Sequence, residues 1–333
     1  MATTPPALVA TGDRRTSVQS AEALRQGSAG FLAPDFKGLQ TCGEPIHLGL
    51  PVPLYISRTG TFYFGGLRTC GSVTACPVCS WRIMRQRQRH LMDCHRTVSA
   101  LDGSTLVFHL TAGYPGDIRV AEQRERLQAA YAKFSGGNNS LGGRTGKRAG
   151  VLGSFRSLEF KYDAQTARWN PHFHGAAFFT GDIPPEFGAW LTGRWSRSLE
   201  AVGLSGGEDT RPGEAGEEGL SYICKPIWTD ETEKTKDRLT PFQLLARAVE
   251  TGESRWIDPY QEYANAMKGK RTTSFSRGLA EKLRLSERRH RASDAELARP
   301  FEGRPPVDEI SPGVYRELRQ RSEVNRYLGG YRR

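Results

Sequence analysis

Residues 169–179 read Trp169-Asn170-Pro171-His172-Phe173-His174-Gly175-Ala176-Ala177-Phe178-Phe179, a composition that predicts a buried β-strand. The turn-like segment 163–170 before it suggests that the strand is entered from a hairpin. Alternate residues of a strand face the same side, so His172 and His174 are expected to point together while Phe173 faces the core. Two imidazoles at this spacing can bind one divalent cation. The competing interpretation is one functional or buried histidine beside a chance neighbour.

The composition of the 333-residue chain favours a polyanionic partner. Lys and Arg number 47 against 36 Asp and Glu, a net charge of +11 that points to nucleic acid first and to an anionic membrane second. No apolar run approaches the roughly 20 residues that span a bilayer, and residues 1–35 contain no hydrophobic export signal. We therefore expect a cytoplasmic protein that does not insert into a membrane and has room for about two domains.

The six cysteines are expected to be thiols, because a chain without a secretion signal meets a reducing cytosol. Two of them have the C-x-x-C spacing that lets both thiolates reach one tetrahedral zinc ion. Residues 53–64 read as a hairpin, which would bring Cys42 back towards Cys70. The sequence therefore predicts a structural zinc site of Cys42, Cys70, Cys76 and Cys79, in which His47, Cys94 or His95 could replace Cys42. The alternative is that the cysteines are small buried hydrophobes that bind nothing.

The apolar periodicity around these motifs indicates both helices and strands. It predicts helices over 81–98, 120–134, 184–200, 241–251 and 260–267, and strands over 104–112 and 152–162. One face of the first helix carries four arginines, which form either a phosphate-contacting surface or a solvated charged face: Arg82, Arg85, Arg89 and Arg96. Strand 152–162 pairs most simply with the His172 strand, and a hairpin of that length places Glu159 beside the two imidazoles. Glu159 is the predicted third metal ligand, against the alternative of a surface carboxylate.

A third motif lies in residues 214–226, where Glu218, Tyr222 and Lys225 fall on one face of a predicted helix. A phenol has a pKa of about 10, so it becomes a nucleophile at neutral pH only where a cation favours its anion. Lys225 or a bound metal ion could supply that positive charge. Tyr-x-x-Lys is nevertheless a common string, and a surface tyrosine beside a solvated lysine has the same spacing.

The order of these motifs resembles the HUH endonucleases, and among them the rolling-circle plasmid replication initiators of Gram-positive bacteria, especially the actinobacterial type. The similar segments are Phe108-His109-Leu110-Thr111, His172-Phe173-His174 and Tyr222-Ile223-Cys224-Lys225. The segments 42–43, 70–73 and 75–80 look like the N-terminal zinc module of that family. Segments 240–245 and 276–279 look like others that it carries after the tyrosine, so the resemblance covers roughly residues 40–285.

The resemblance implies how the nuclease would work. His172, His174 and Glu159 would hold a Mg or Mn ion on a scissile phosphate of single-stranded or hairpin origin DNA. Tyr222 would attack in line, leaving a 5′-phosphotyrosine and a 3′-hydroxyl that primes a host polymerase. Lys225 would lower the pKa of the tyrosine or steady the phosphate.

Two further positions receive roles from the resemblance. Glu218 lies four residues before the tyrosine, where a carboxylate in some relatives activates water for termination, and Glu217 competes for that role. His109 stands where the family more often has an apolar or hydroxyl residue, which leaves open a metal or phosphate role for this histidine.

The expected fold class is α+β, with an HUH-type antiparallel sheet flanked by helices on one face and preceded by a small zinc-binding module. The expected segments are a flexible start over 1–35, the zinc module and basic helix over 36–97, the nuclease domain over 98–235, a helical region over 236–285 and a charged flexible tail over 286–333 with one helix near 314–328. The expected function is strand-specific nicking and joining of DNA at a plasmid origin, with host helicase and polymerase as partners. Its rivals are a single-tyrosine transposase and a zinc-containing DNA-binding regulator without nuclease activity.

Overall fold

The computed structural model describes residues 14–32, 35–57, 60–114, 118–206, 213–214, 216–224, 237–300, 305–321 and 323–331. These residues form two units. The cysteine unit comprises the described parts of 1–83, 242–264 and 293–333, and the sheet unit comprises those of 84–241 and 265–292. Each unit is discontinuous in sequence, whereas the five expected segments follow one another along the chain. None of the described helices is long and apolar enough to cross a bilayer.

The helices and strands follow in chain order. Up to the long hairpin they are α1 (Arg14–Leu32), α2 (Lys37–Gln40), β1 (Val52–Ile56), β2 (Phe62–Phe64), α3 (Pro77–Ser99), β3 (Thr105–Leu110), α4 (Val120–Ser135), α5 (Arg144–Arg148), β4 (Val151–Asp163) and β5 (Arg168–Phe179). After it come α6 (Phe187–Glu200), β6 (Gly213–Glu214), α7 (Glu217–Ile223), β7 (Arg238–Leu239), α8 (Pro241–Thr251), α9 (Ser254–Ala266), β8 (Thr273–Phe275), α10 (Leu279–Lys282), α11 (Glu287–Arg291), α12 (Asp294–Ala298), β9 (Asp308–Ile310), α13 (Pro312–Gln320) and α14 (Val324–Gly330).

The sheet unit is built on a six-stranded antiparallel sheet, so the mixed α+β class is confirmed. Five of its strands follow the order β6-β3-β5-β4-β7, and β8 also pairs with β4. The predicted hairpin is the β4–β5 pair, in which Glu159 lies opposite His172. On the other side of β5, His109 of β3 lies opposite His174. The centre of the sheet therefore gathers the polar residues of three neighbouring strands.

Helices cover both faces of this sheet, and the prediction of helices on one face was wrong. On one face, the ring of Tyr131 in α4 packs 4.9 Å from the ring of Phe173. On the other face, His95 in α3 shares a 3.1 Å hydrogen bond with the hydroxyl of Thr105 in β3. The physical reason is that β5 buries almost every residue, including both members of its alternating pattern, as strands covered on two sides do.

One glycine allows β3 and β5 to pack in this way. Phe108 lies opposite Gly175, and a Cβ added at Gly175 would come within 2.1 Å of the Phe108 ring. Only glycine leaves room for that ring against β5, on the face of the sheet opposite to the two histidines.

The cysteine unit contains a second, three-stranded sheet in the order β2-β1-β9. The predicted hairpin over 53–64 is the β1–β2 pair, with Leu54 opposite Phe64. On its other side β1 pairs with β9, with Val52 opposite Ile310. Val52, Leu54, Phe64, Leu67, Ile310 and Tyr315 form one buried cluster.

Both segments predicted to be flexible contain regular structure in their described parts. The C-terminal one, 286–333, carries β9 and four helices, and the single helix expected near 314–328 is the pair α13 and α14. Most residues of this segment are charged or polar, so its composition did not predict a packed core. A few apolar residues, such as Ile310 and Tyr315, nevertheless pack into the buried cluster of the cysteine unit. The N-terminal one, 1–35, carries α1, whose Ser28 hydroxyl donates to the Ala75 carbonyl at 2.7 Å. That helix is weakly apolar, so its sequence did not predict that it packs in the cysteine unit. Its contacts with distant residues, such as Ala75, show that it does.

Candidate metal and catalytic sites

The first candidate site is a cluster of four cysteine sulfurs in the cysteine unit. The Sγ of Cys42 lies 3.7 Å from that of Cys76 and 3.6 Å from that of Cys79, and the Cys70 and Cys79 sulfurs are 3.7 Å apart. Sulfurs bound to one tetrahedral zinc at about 2.3 Å are separated by about 3.8 Å, whereas disulfide sulfurs are about 2.05 Å apart. All six cysteines are free thiols. The cluster can therefore hold a metal ion such as zinc.

Local backbone pairing explains how Cys42 reaches the other three. Gly43 N–H donates to the Arg68 carbonyl, and Arg68 N–H donates to the Glu44 carbonyl, each at 2.8 Å. Cys76 precedes α3 and Cys79 lies in its first turn, where the Cys79 N–H donates to the Cys76 sulfur at 3.4 Å. The structure thus brings together the four predicted cysteines.

The three residues considered as replacements for Cys42 lie elsewhere. His47 is exposed, and His95 bonds to Thr105 within the sheet unit. Cys94 is buried in the sheet unit, and this burial raises the pKa of its thiol to about 12. None of the three belongs to the sulfur cluster.

Two buried arginines, Arg25 and Arg319, lie near the cysteine cluster. Burial lowers the pKa of the Arg25 guanidinium, but the Glu22 carboxylate and the charges of Cys76 and Cys42 outweigh burial and raise it. Arg319 of α13 donates to the Cys42 carbonyl and to Glu44, and its Nε donates to Glu22 at 2.9 Å. Four thiolates around a dication would carry two net negative charges, so buried cations nearby favour the metal-bound form.

The second candidate site is a cluster of three histidines in the sheet unit. The ring of His109 lies parallel to that of His174 at 4.6 Å and edge-on to that of His172 at 4.7 Å. Each can offer one ring nitrogen such that the three atoms lie within 4.8 Å of one another. His172 and His174 were predicted to point together, and His109, for which a metal or phosphate role was left open, joins them from the neighbouring strand. This set can hold a divalent metal ion.

Glu159 lies against the two histidines of β5. Its Oε2 is 2.8 Å from Nε2 of His174 and 3.6 Å from Nε2 of His172, and its Oε1 is 3.3 Å from the Lys161 ammonium. Burial opposes ionisation of this carboxyl, but hydrogen bonds to His172 and His174 outweigh it and hold the pKa of Glu159 well below its usual range. The group is therefore a carboxylate, the form that binds metal ions.

The tautomer of His172 is set by the backbone. Its Nδ1 is 3.1 Å from the carbonyl oxygen of Asn170, and because a carbonyl oxygen can only accept, Nδ1–H is the donor. A backbone acceptor behind a histidine is the usual way in which a metal-binding imidazole is oriented. His172 can thus present Nε2 towards the cluster.

Tyr222 approaches the same cluster from α7. Its ring meets the ring of His174 edge-on at 5.5 Å, while 47% of the residue is exposed. Burial of the ring, together with the charge of Glu159, raises the pKa of the phenol. Lys225, its predicted partner, lies outside the described residues.

The two carboxylates before Tyr222 differ in their contacts. Glu217 accepts hydrogen bonds of 3.2 Å from the Arg96 guanidinium. Glu218 is exposed and forms no hydrogen bond or ion pair with any residue that the structure describes. Glu218 is therefore the more available of the two for chemistry near Tyr222.

Sequence reasoning missed two contacts that hold α7 in place. The Gln88 amide donates to the carbonyl of Ser221 at 3.1 Å, directly before Tyr222, and Arg96 holds Glu217 at the start of the helix. Both lie on α3. No local signal distinguishes Gln88 from the other polar residues of that helix, whereas Arg96 belongs to the predicted arginine face and His109 was given an open metal or phosphate role.

Comparison of the chain with protein-family models, with curated proteins and with solved structures finds no match. Function is therefore inferred from the geometry of the two clusters.

Proposed function

We propose that the protein is a metal-dependent, site-specific single-strand DNA endonuclease and strand transferase that initiates rolling-circle replication of a plasmid. The observation that supports this most directly is a half-exposed tyrosine whose ring meets a buried histidine of a candidate metal cluster. A phenol in that position is suited to attack a phosphate held by the cluster. The net charge of +11 and the exposed Arg85 and Arg89 on α3 favour a DNA substrate.

The proposed ligands of the nuclease metal are His172, His174 and Glu159. Neighbouring ligands of an octahedral ion with bonds of about 2.1 Å lie about 3.0 Å apart. The separations from the Glu159 oxygen, 2.8 Å to His174 and 3.6 Å to His172, are close to that value. A Mg or Mn ion bound there would neutralise negative charge on the scissile phosphate.

Tyr222 is the proposed nucleophile. Its oxygen forms a bond to phosphorus while the bond from phosphorus to the 3′-oxygen breaks; the phenol loses its proton, and the departing 3′-oxygen takes one up. The products are a 5′-phosphotyrosine and a 3′-hydroxyl, which can later attack the phosphotyrosine and rejoin the strand. Because the Glu159 charge contributes to the raised pKa of Tyr222, neutralising that carboxylate favours the phenolate. Lys225 retains its proposed role of stabilising the phenolate or the phosphate.

Glu218 is the proposed general base for termination. It precedes Tyr222 by one helical turn, so both side chains lie on one face of α7. Its carboxylate would take a proton from the water that hydrolyses the phosphotyrosine.

The proposal extends to a structural zinc ion at the four cysteines and to host helicase and polymerase as partners in replication.

The deciding experiment uses a labelled single-stranded origin fragment with Mn or Mg on a denaturing gel. Wild-type protein should form a DNA–protein adduct only with metal, and Tyr222→Phe should reduce it by roughly 10³-fold or more. Tyr63→Phe, in the cysteine unit, is the matched control and should react like wild type. Binding without cleavage across a panel of origin hairpins would instead identify a DNA-binding regulator.

Gln88→Ala is expected to slow nicking by roughly 10- to 100-fold, because Tyr222 loses the contact that fixes its helix. Metal affinity should not change, since Gln88 touches no metal ligand. Single-turnover nicking and Mn titration measure the two effects separately. Gln86→Ala, on the same helix, should have wild-type activity, and equal rates for the two variants would exclude a positioning role for Gln88.

A further inference from the structure

We propose that His109 is a third imidazole ligand of the nuclease metal, so that the centre is a three-histidine, one-carboxylate site that discriminates against Mg. This inference rests on the proposed function, because it concerns the same site. It changes which ion the site would select and assigns a role to a residue on a different strand.

The sheet order provides the first argument. The central strand β5 contributes His172 and His174, and its neighbours lie on either side of it in the order β3-β5-β4. Glu159 reaches the pair from β4, opposite His172, and His109 reaches it from β3, opposite His174. The two histidines are thus flanked from both sides by side chains able to bind metal.

Distances provide the second argument. Three nitrogens separated by at most 4.8 Å leave a common point no more than about 2.8 Å from each. A metal–imidazole bond is about 2.1 Å long, so shifts of roughly 0.7 Å per ring would close the site. The rings of His109 and His174 lie parallel at 4.6 Å, so binding one ion also requires one ring to rotate about its side-chain torsions until the in-plane lone pairs of both rings point at the ion.

The contacts of Glu159 place its carboxylate on the β4 side of the histidine pair. The β3 side of the pair is therefore open to the His109 ring. One carboxylate oxygen lies 2.8 Å from Nε2 of His174 and 3.6 Å from Nε2 of His172, and the other lies 3.3 Å from Lys161. The carboxylate is thereby held on the β4 side of the pair. A ligand approaching from β3 completes the set without displacing it.

Three imidazoles alter the selectivity of the centre. Mg²⁺ prefers oxygen ligands and keeps several waters, whereas nitrogen ligands favour first-row transition ions. If the only protein ligands were His172, His174 and Glu159, the affinities of the site for Mg and for Mn would differ less. With His109 added, the site should bind Mn much more tightly than Mg.

The test is Mn²⁺ titration by electron paramagnetic resonance, with Mg²⁺ as competitor, on full-length protein whose cysteine cluster is first loaded with zinc. His109→Asn keeps a side chain of similar size and replaces an imidazole by an oxygen donor. It should weaken Mn binding by about 10-fold or more and lower the Mn-to-Mg preference by a similar factor. His47→Asn, an exposed histidine in the other unit, is the control and should bind like wild type.

A second measurement does not depend on the folding of a variant. Wild-type protein carrying ¹⁵N-histidine, bound to Mn²⁺, gives a pulsed paramagnetic resonance signal that counts coordinated imidazoles. Three coordinated imidazoles support the proposal, and two overturn it. A His109→Asn protein with wild-type melting and wild-type Mn affinity would overturn it as well.

These outcomes separate the two proposals. Mn binding that depends on His109 in a protein that never cleaves DNA would uphold the ligand assignment and refute the nuclease. Metal-dependent cleavage with two coordinated imidazoles would uphold the nuclease and refute the ligand assignment.

Discussion

Cys79→Ser is expected to abolish metal binding at the cysteine cluster and to unfold much of the cysteine unit. A structural zinc site contributes about 10–16 kcal/mol in small zinc-dependent peptides, which exceeds the net stability of about 5–15 kcal/mol of an ordinary domain. Cys79 lies within 3.7 Å of two partner sulfurs, so its loss opens the site. The measurements are zinc content and amide hydrogen exchange across β1 and β9.

Cys94→Ser is the matched control for this experiment. Cys94 is equally buried, but it belongs to the sheet unit and lies outside the sulfur cluster. The control should retain one zinc ion per chain and full protection of β1. A Cys79→Ser protein with the same zinc content and protection as the control would show that the cluster does not hold the metal.

His174→Ala should have the largest effect on catalysis after loss of the nucleophile, with nicking lower by roughly 10³-fold or more. His174 contacts each of the other parts of the site: Glu159 at 2.8 Å, the His109 ring at 4.6 Å and the Tyr222 ring at 5.5 Å. Without the His174 imidazole, the buried Glu159 carboxylate also loses its shortest hydrogen bond. This loss should lower the free energy of unfolding by about 1–3 kcal/mol. Single-turnover nicking and thermal unfolding measure the two losses.

His95→Ala serves as the comparison for that variant. His95 is another partly buried histidine of the sheet unit, and its partner is the Thr105 hydroxyl rather than the metal cluster. It should nick DNA at close to the wild-type rate. If the His174 variant cleaves within about 10-fold of the His95 variant, the histidine cluster is not the nuclease centre.

Features that depend on short sequence separations were predictable. The β4–β5 hairpin follows from alternation and turn composition, and its observed register puts Glu159 beside His172 as expected. The grouping of four cysteines follows from the C-x-x-C spacing and from a hairpin of ordinary length. In both cases the partners are fixed by a single local turn.

Features that depend on distant pairing were not predictable. His109 joins the cluster because β3 pairs with β5 in one particular register, and no local pattern specifies that register. Val52 pairs with Ile310 from the far end of the chain, and the charged surroundings of Ile310 gave no sign of a strand. Gln88 acquires its position near Tyr222 only through the packing of α3 beside α7.

The pairing of β1 with β9 bears on how the protein is made. During translation at about 5–20 residues per second, β9 is made roughly tens of seconds after β1, because the whole sheet unit is synthesised between the two strands. A nascent chain that stalls near residue 300 would already contain every described histidine, carboxylate and tyrosine of the proposed nuclease site. It would also present the unpaired edge of β1, an edge on which other chains can add strands. Interrupted synthesis would therefore yield a product that combines the proposed nuclease site with a tendency to aggregate.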